Sequence, residues 1–254
     1  MSDQPIFLLH TRPDARMLSA WIARKHARSS HRPSDMGDAL HGLLTKAFGD
    51  LAPKPFRYLD EDRGLLAYTH LDDRAMAAQV VLADPIAAQT LGLGASSRDG
   101  GYRLRPFPAK WPVGQTLSFE VRVRPTTRSD DGERDVFLRA VAKANGAALD
   151  RSQVYLEWFR KQVEGADQRE RQPWQGGVEL LDTRVDAFQR LKVVRRDQKS
   201  ADDEARKTSI IEGPDVVLKG RLRVQDSEAF AQLLRRGVGR HRAFGFGMLL
   251  LSRA

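Results

Sequence analysis

The chain of 254 residues is long enough for one large domain or two small ones, each with its own core. It carries 42 Lys and Arg against 33 Asp and Glu, a formal net charge of +9, which favours a polyanionic partner because each neutralised phosphate releases a counterion. It has no cysteine, which excludes disulfides, thiolate metal sites and a cysteine nucleophile.

Residues 6–10 (IFLLH) read as an opening strand, with no basic segment before them, so a signal peptide is not expected. No apolar run approaches the roughly 20 residues of a membrane-spanning helix. The expected setting is therefore reducing and cytoplasmic, with no membrane partner. Asp14 is placed to cap a helix to about Arg28, whose apolar stripe is Met17, Leu18, Trp21 and Ile22 and whose remaining surface is basic. Ser34 or Asp35 can start a second helix with Met36, Leu40, Leu43, Leu44, Ala47 and Phe48 at helical spacing. Residues 56–59 and 65–70 read as a hairpin across the acidic turn Asp60-Glu61-Asp62. Residues 73–89 read as mostly helical until Pro85, and 102–107 as a short strand. With the two adjacent helices counted as one crossover, this is the split βαβ order of a ferredoxin-like domain.

A linker is expected at Trp111-Pro112-Val113-Gly114, dividing the chain into domains 1–112 and 113–254. Residues 117–124 alternate cleanly, Leu117, Phe119, Val121 and Val123 against Ser118, Glu120, Arg122 and Arg124, which predicts a strand with one buried and one polar, basic face. A charged loop over 126–135 and a helix over 152–163 follow. Residues 165–177 read as a polar, mobile connection, and 197–207 as a loop or a short solvated helix. Residues 216–224 read as a strand, Asp226 as the cap of a short helix, and 246–251 as the last strand. The fold class expected is α+β, with tandem ferredoxin-like domains.

The densest chemistry lies in Gly237-Val-Gly-Arg-His-Arg-Ala-Phe-Gly-Phe-Gly247. Gly237, Gly239, Gly245 and Gly247 can bring backbone amides close to a phosphate, and Arg240, His241 and Arg242 can add charge-assisted bonds to it. The alternative is a tight connection that needs glycine for geometry, with solvated arginines. The spacing is neither a Walker loop nor a dinucleotide fingerprint.

That glycine pattern resembles the C-terminal signature of the RAMP superfamily of CRISPR-associated proteins. Residues 38–50 (DALHGLLTKAFGD) are similar to the L-H-x-x-L helix of the CasE group, the crRNA-maturation endoribonucleases of type I-E systems. Residues 114–127 resemble the opening of that group's second domain, and a processing enzyme of a type IV system fits equally. The resemblance implies attack by a ribose 2′-hydroxyl on the adjacent phosphate of a CRISPR repeat hairpin, leaving a 2′,3′-cyclic phosphate. It implies that His41 occupies the catalytic histidine position and that Arg242 stabilises the phosphate. An extra basic helix precedes the one carrying His41, so Arg24 and His26 stand as rivals.

No metal or cofactor is expected, since the six histidines form no H-x-x-x-H pair and the acidic clusters read as solvated turns. RNA is expected to run along Arg122, Arg124 and Arg128, and along Arg190, Lys192, Arg195 and Arg196. The product crRNA and other effector-complex subunits are the expected partners. The competing reading is a backbone subunit that holds crRNA without cutting it. An RRM-type module is disfavoured, because no aromatic stacking signature falls on a strand.

Overall fold

A computed structural model describes residues 5–26, 36–94, 101–108, 110–129, 132–165, 172–196 and 208–254, with side chains 25, 26, 129, 193–196 and 208–211 outside that description. The first half runs β1 (Phe7–Thr11), α1 (Ala15–His26), α2 (Gly37–Phe48), β2 (Phe56–Asp60), β3 (Gly64–Thr69), α3 (Asp73–Leu82), α4 (Pro85–Leu91) and β4 (Arg103–Pro106). Its strands form an antiparallel sheet in the order β2-β3-β1-β4. The second half runs β5 (Thr116–Val123), β6 (Thr126–Ser129), β7 (Gly132–Asp135), α5 (Val136–Lys143), α6 (Arg151–Val163), β8 (Val178–Arg196), β9 (Thr208–Val224), α7 (Ser227–Arg236) and β10 (Leu249–Arg253). Its main sheet, β10-β5-β9-β8, repeats the same topology, and β6 and β7 form a separate hairpin. The fold is thus α+β with tandem ferredoxin-like domains, as the order of predicted elements implies.

Aspartates set most helix starts. Asp14 accepts from the Met17 amide, and Asp72, Asp84, Asp150 and Asp226 cap α3, α4, α6 and α7 in the same way. Pro85 does not simply end a helix. It opens α4, where its missing N–H costs nothing.

On α2 the predicted apolar positions Leu40, Leu43, Leu44, Ala47 and Phe48 are all buried against the first sheet. Burying each of the leucines and the phenylalanine contributes roughly 1.5–3 kcal/mol. Rotating α2 by one residue, about 100°, would expose them. Core packing therefore fixes the direction in which His41, one position past Leu40, leaves the helix.

The first sheet is covered on both faces. Leu9, Leu65, Ala67 and Phe56 face its helices, while Leu8, Leu66 and Tyr68 pack on the core of the second domain. Trp111, in the connecting segment, stacks edge-on to Phe230 of α7 and lies beside Phe107. The Tyr68 hydroxyl donates to the Leu249 carbonyl at 2.8 Å across the joint. The two halves thus share one continuous apolar contact.

Three expectations need correction. Within the expected loop over 126–135, Thr126–Ser129 and Gly132–Asp135 pair as two antiparallel strands. The last strand begins at Leu249, because Phe246 and Met248 are buried in the turn before it. β9 extends well beyond the 216–224 strand expected, and its partner β8 falls where no strand was predicted; the two pair from Val178 with Val224 to Arg196 with Thr208, with register shifts at Leu180/Asp182 and Val185/Ala187. Beyond the core their residues mix apolar, polar and charged types, and no sustained apolar alternation marks them. The backbone ladder between the two strands supplies the order there.

Candidate active site

The glycine-rich turn leaves α7 at Gly237 and enters β10 at Leu249. A side chain at Gly247, with φ +78°, would place its Cβ 2.2 Å from the Val238 carbonyl, and the two residues bond across the turn, Val238 N to Gly247 O at 2.8 Å. At Gly237, Gly239 and Gly245 an added Cβ would meet Pro55, Trp158 and Phe56. The geometric alternative raised from the sequence accounts for all four: each glycine makes room for protein. The turn's outward chemistry falls to its basic side chains.

Between Gly239 and Phe244 the turn lines a cleft of about 820 Å³ between the two domains, walled on the other side by residues 50–54 and 68–71. Arg240 is exposed there. Arg242 is half-buried, donates Nη1 to the Arg236 carbonyl at 2.8 Å, and has its pKa lowered by burial. Arg236, which sequence reasoning missed, sits over Trp174 with its guanidinium carbon 3.9 Å from the ring centroid. Its pKa is lowered to about 10, by burial first and the Arg242 charge second. The signal available was the Arg235-Arg236 pair in the last turn of α7, directly before the glycines.

α2 packs on the short 3-10 turn Arg242–Phe244, and the His41 ring lies 4.8 Å from the Phe244 ring. Phe244 in turn lines the arginine cleft. The structure therefore places His41 against the glycine turn. Arg24 is exposed on α1, which packs on α2 and α4. The His26 side chain lies outside the described residues, as do those of Arg195 and Arg196.

Several expected RNA contacts are instead scaffold. The Arg122 side chain is 17% exposed and binds Asp215 through two bonds of 2.7 and 2.8 Å, with its guanidinium 4.4 Å from the Phe246 ring. Arg124, the first residue after β5, is 1% exposed. Its guanidinium packs where any Gly213 side chain would stand. The His241 side chain is 1% exposed and meets Glu133 of β7 at 2.7 Å, so it ties the glycine turn to the β6–β7 hairpin instead of facing RNA. Thr126 bonds the same Glu133 oxygen.

Arg190 is paired with Glu212 at 3.1 Å, and Lys192 is exposed further along the hairpin. Arg128 is exposed on β6. Beneath the turn, Arg57 of β2 meets Glu120 of β5 at 3.6 Å, an ion pair between domains. Burial, then the nearby Arg122 charge, lowers the Arg57 pKa to about 10.

Residues 12–253 match the model of a family described as CRISPR associated protein. The CRISPR-associated endoribonuclease Cse3 of Thermus thermophilus is 28% identical over 243 residues, covering 92% of this chain and 99% of that one. In structure, the chain resembles Cse3 bound to a 19-nucleotide RNA, with TM-score 0.59, 19% identity and 98% of each chain covered. It also resembles a chain of a CRISPR RNA-guided surveillance complex, with TM-score 0.52, 18% identity, and 98% and 100% covered. The motifs at residues 38–50 and 237–247 both fall inside the matched span, and the chain belongs to the CRISPR-associated protein family.

Proposed function

We propose that this protein is an endoribonuclease that binds a CRISPR repeat hairpin, cuts it without a metal ion, and stays with the crRNA as an effector-complex subunit. The observation that carries the proposal is the His41 ring against Phe244, in the turn that holds Arg242 in a basic cleft. Support for the RNA comes from Cse3, solved with a bound 19-nucleotide RNA, and support for the assembly from the surveillance-complex chain of like fold.

In the reaction, the ribose O2′ attacks phosphorus as the P–O5′ bond breaks. The 2′-hydroxyl loses a proton and O5′ gains one, leaving a 2′,3′-cyclic phosphate and a 5′-hydroxyl. An imidazole titrates near neutrality and can exchange either proton, which is the role assigned to His41. Arg242 stabilises the charge that gathers on the phosphorane. Arginine stays protonated at neutral pH, so Arg24 is not assigned the base. An A-form stem offers phosphates and 2′-hydroxyls, and the exposed Arg128, Arg240 and Lys192 are assigned to it.

The test is cleavage of the cognate repeat RNA in EDTA, with the product ends read by mass spectrometry. His41→Ala should slow cleavage by about 10²–10⁴-fold while binding persists. Normal cleavage by that variant would remove the histidine role. Activity that requires added magnesium would remove the metal-free step, and binding without any cleavage would leave a crRNA-holding subunit.

A further inference from the structure

Arg236 and Arg242 are both half-buried on the cleft wall; Arg242 donates to the Arg236 carbonyl at 2.8 Å, and its charge acts on the Arg236 guanidinium. Among the described residues no carboxylate lies within ion-pair distance of either. The acid on the cleft lining is the exposed Asp50, while Lys54, Arg235 and Arg240 add further positive charge. Two partly desolvated like charges are costly unless an anion compensates them.

The arrangement is also shaped. Trp174 covers one face of the Arg236 guanidinium, and the Gly237 carbonyl takes one Nη1 hydrogen at 3.1 Å. The planar fork is thereby held by packing instead of by a salt bridge, and its remaining donors are left for an anionic oxygen.

We infer that Arg236 and Arg242 together clamp one backbone phosphate of the RNA in this cleft, with Trp174 as the residue that positions the Arg236 fork. The inference rests on the repeat-RNA reading and adds a substrate-contacting residue and its positioning partner to it. A phosphodiester presents two non-bridging oxygens, one for each guanidinium.

The test is binding of a repeat hairpin blocked by a 2′-deoxy substitution at the cleavage site, measured across a salt series with the full chain. Arg236→Gln should weaken binding about 10- to 100-fold and reduce the slope of log K against log salt by about 0.7–0.9, one phosphate's worth. Trp174→Phe should stay close to wild type, and Trp174→Ala should approach Arg236→Gln. Wild-type slope in Arg236→Gln, or wild-type affinity in Trp174→Ala, overturns the clamp. Should Arg236→Gln fail to fold, Arg236→Lys keeps the charge and loses the fork. It should keep the slope and still bind more weakly, and undiminished affinity overturns the clamp. Failure of the wild-type protein to bind the hairpin would instead defeat the functional reading.

Discussion

Asp215→Asn tests whether Arg122 is scaffold, as the structure has it, or an RNA contact, as strand alternation led us to expect. The Asp215 side chain is 4% exposed and takes Arg122 through two bonds and Gln189 Nε2 at 2.7 Å. Removing its charge leaves Arg122 and Arg57 under the glycine turn with Glu120, which Lys219 already shares. Breaking a buried pair by losing one partner costs about 3–5 kcal/mol, and asparagine keeps one acceptor, so the lower end, about 3 kcal/mol, is expected. At roughly 2–4 °C per kcal/mol for a chain of this size, Tm should fall by about 6–12 °C.

The loss should depend on pH. Burial pushes the Asp215 carboxyl up, but the hydrogen bonds and charge of Arg122, with help from Gln189 and Arg57, hold it below its ordinary 3.8. The folded form therefore releases this proton more readily than the unfolded form. The stabilisation is complete above pH 3.8 and is lost as pH falls through the lower folded value. Thermal melts of both proteins from pH 7 to pH 2 should show a gap that narrows at the acid end. A Tm change under about 2 °C at pH 7, or a gap constant with pH, would refute the scaffold assignment.

Two further perturbations probe the frame around the cleft. Tyr68→Phe removes the buried hydroxyl that bonds Leu249 between domains, and should cost about 1 kcal/mol in denaturant unfolding with cleavage retained. Gly247→Ala demands a left-handed residue with its Cβ 2.2 Å from a carbonyl, so the loss should exceed about 2 kcal/mol and cleavage should fall with it. Wild-type melting of this variant would show that the turn is not packed as described.

The sequence by itself determined the elements whose burial has a period. The α2 stripe from Leu40 to Phe48, the alternation of Leu117, Phe119, Val121 and Val123, and the caps Asp14 and Asp226 stand where spacing puts them, because each reports a local rule. The glycines of 237–247 were visible too, and so was His41. Tertiary structure alone decided what the charged residues do. Nothing local separates Arg122, locked on Asp215, from Arg128, which is exposed, or marks that Arg124 and His241 turn inward. Trp174 meets Arg236 across a long stretch of sequence, and Glu133 meets His241 across a longer one. A guanidinium is as compatible with a buried carboxylate as with a phosphate, so its role depends on which partner the fold brings within about 3 Å of it.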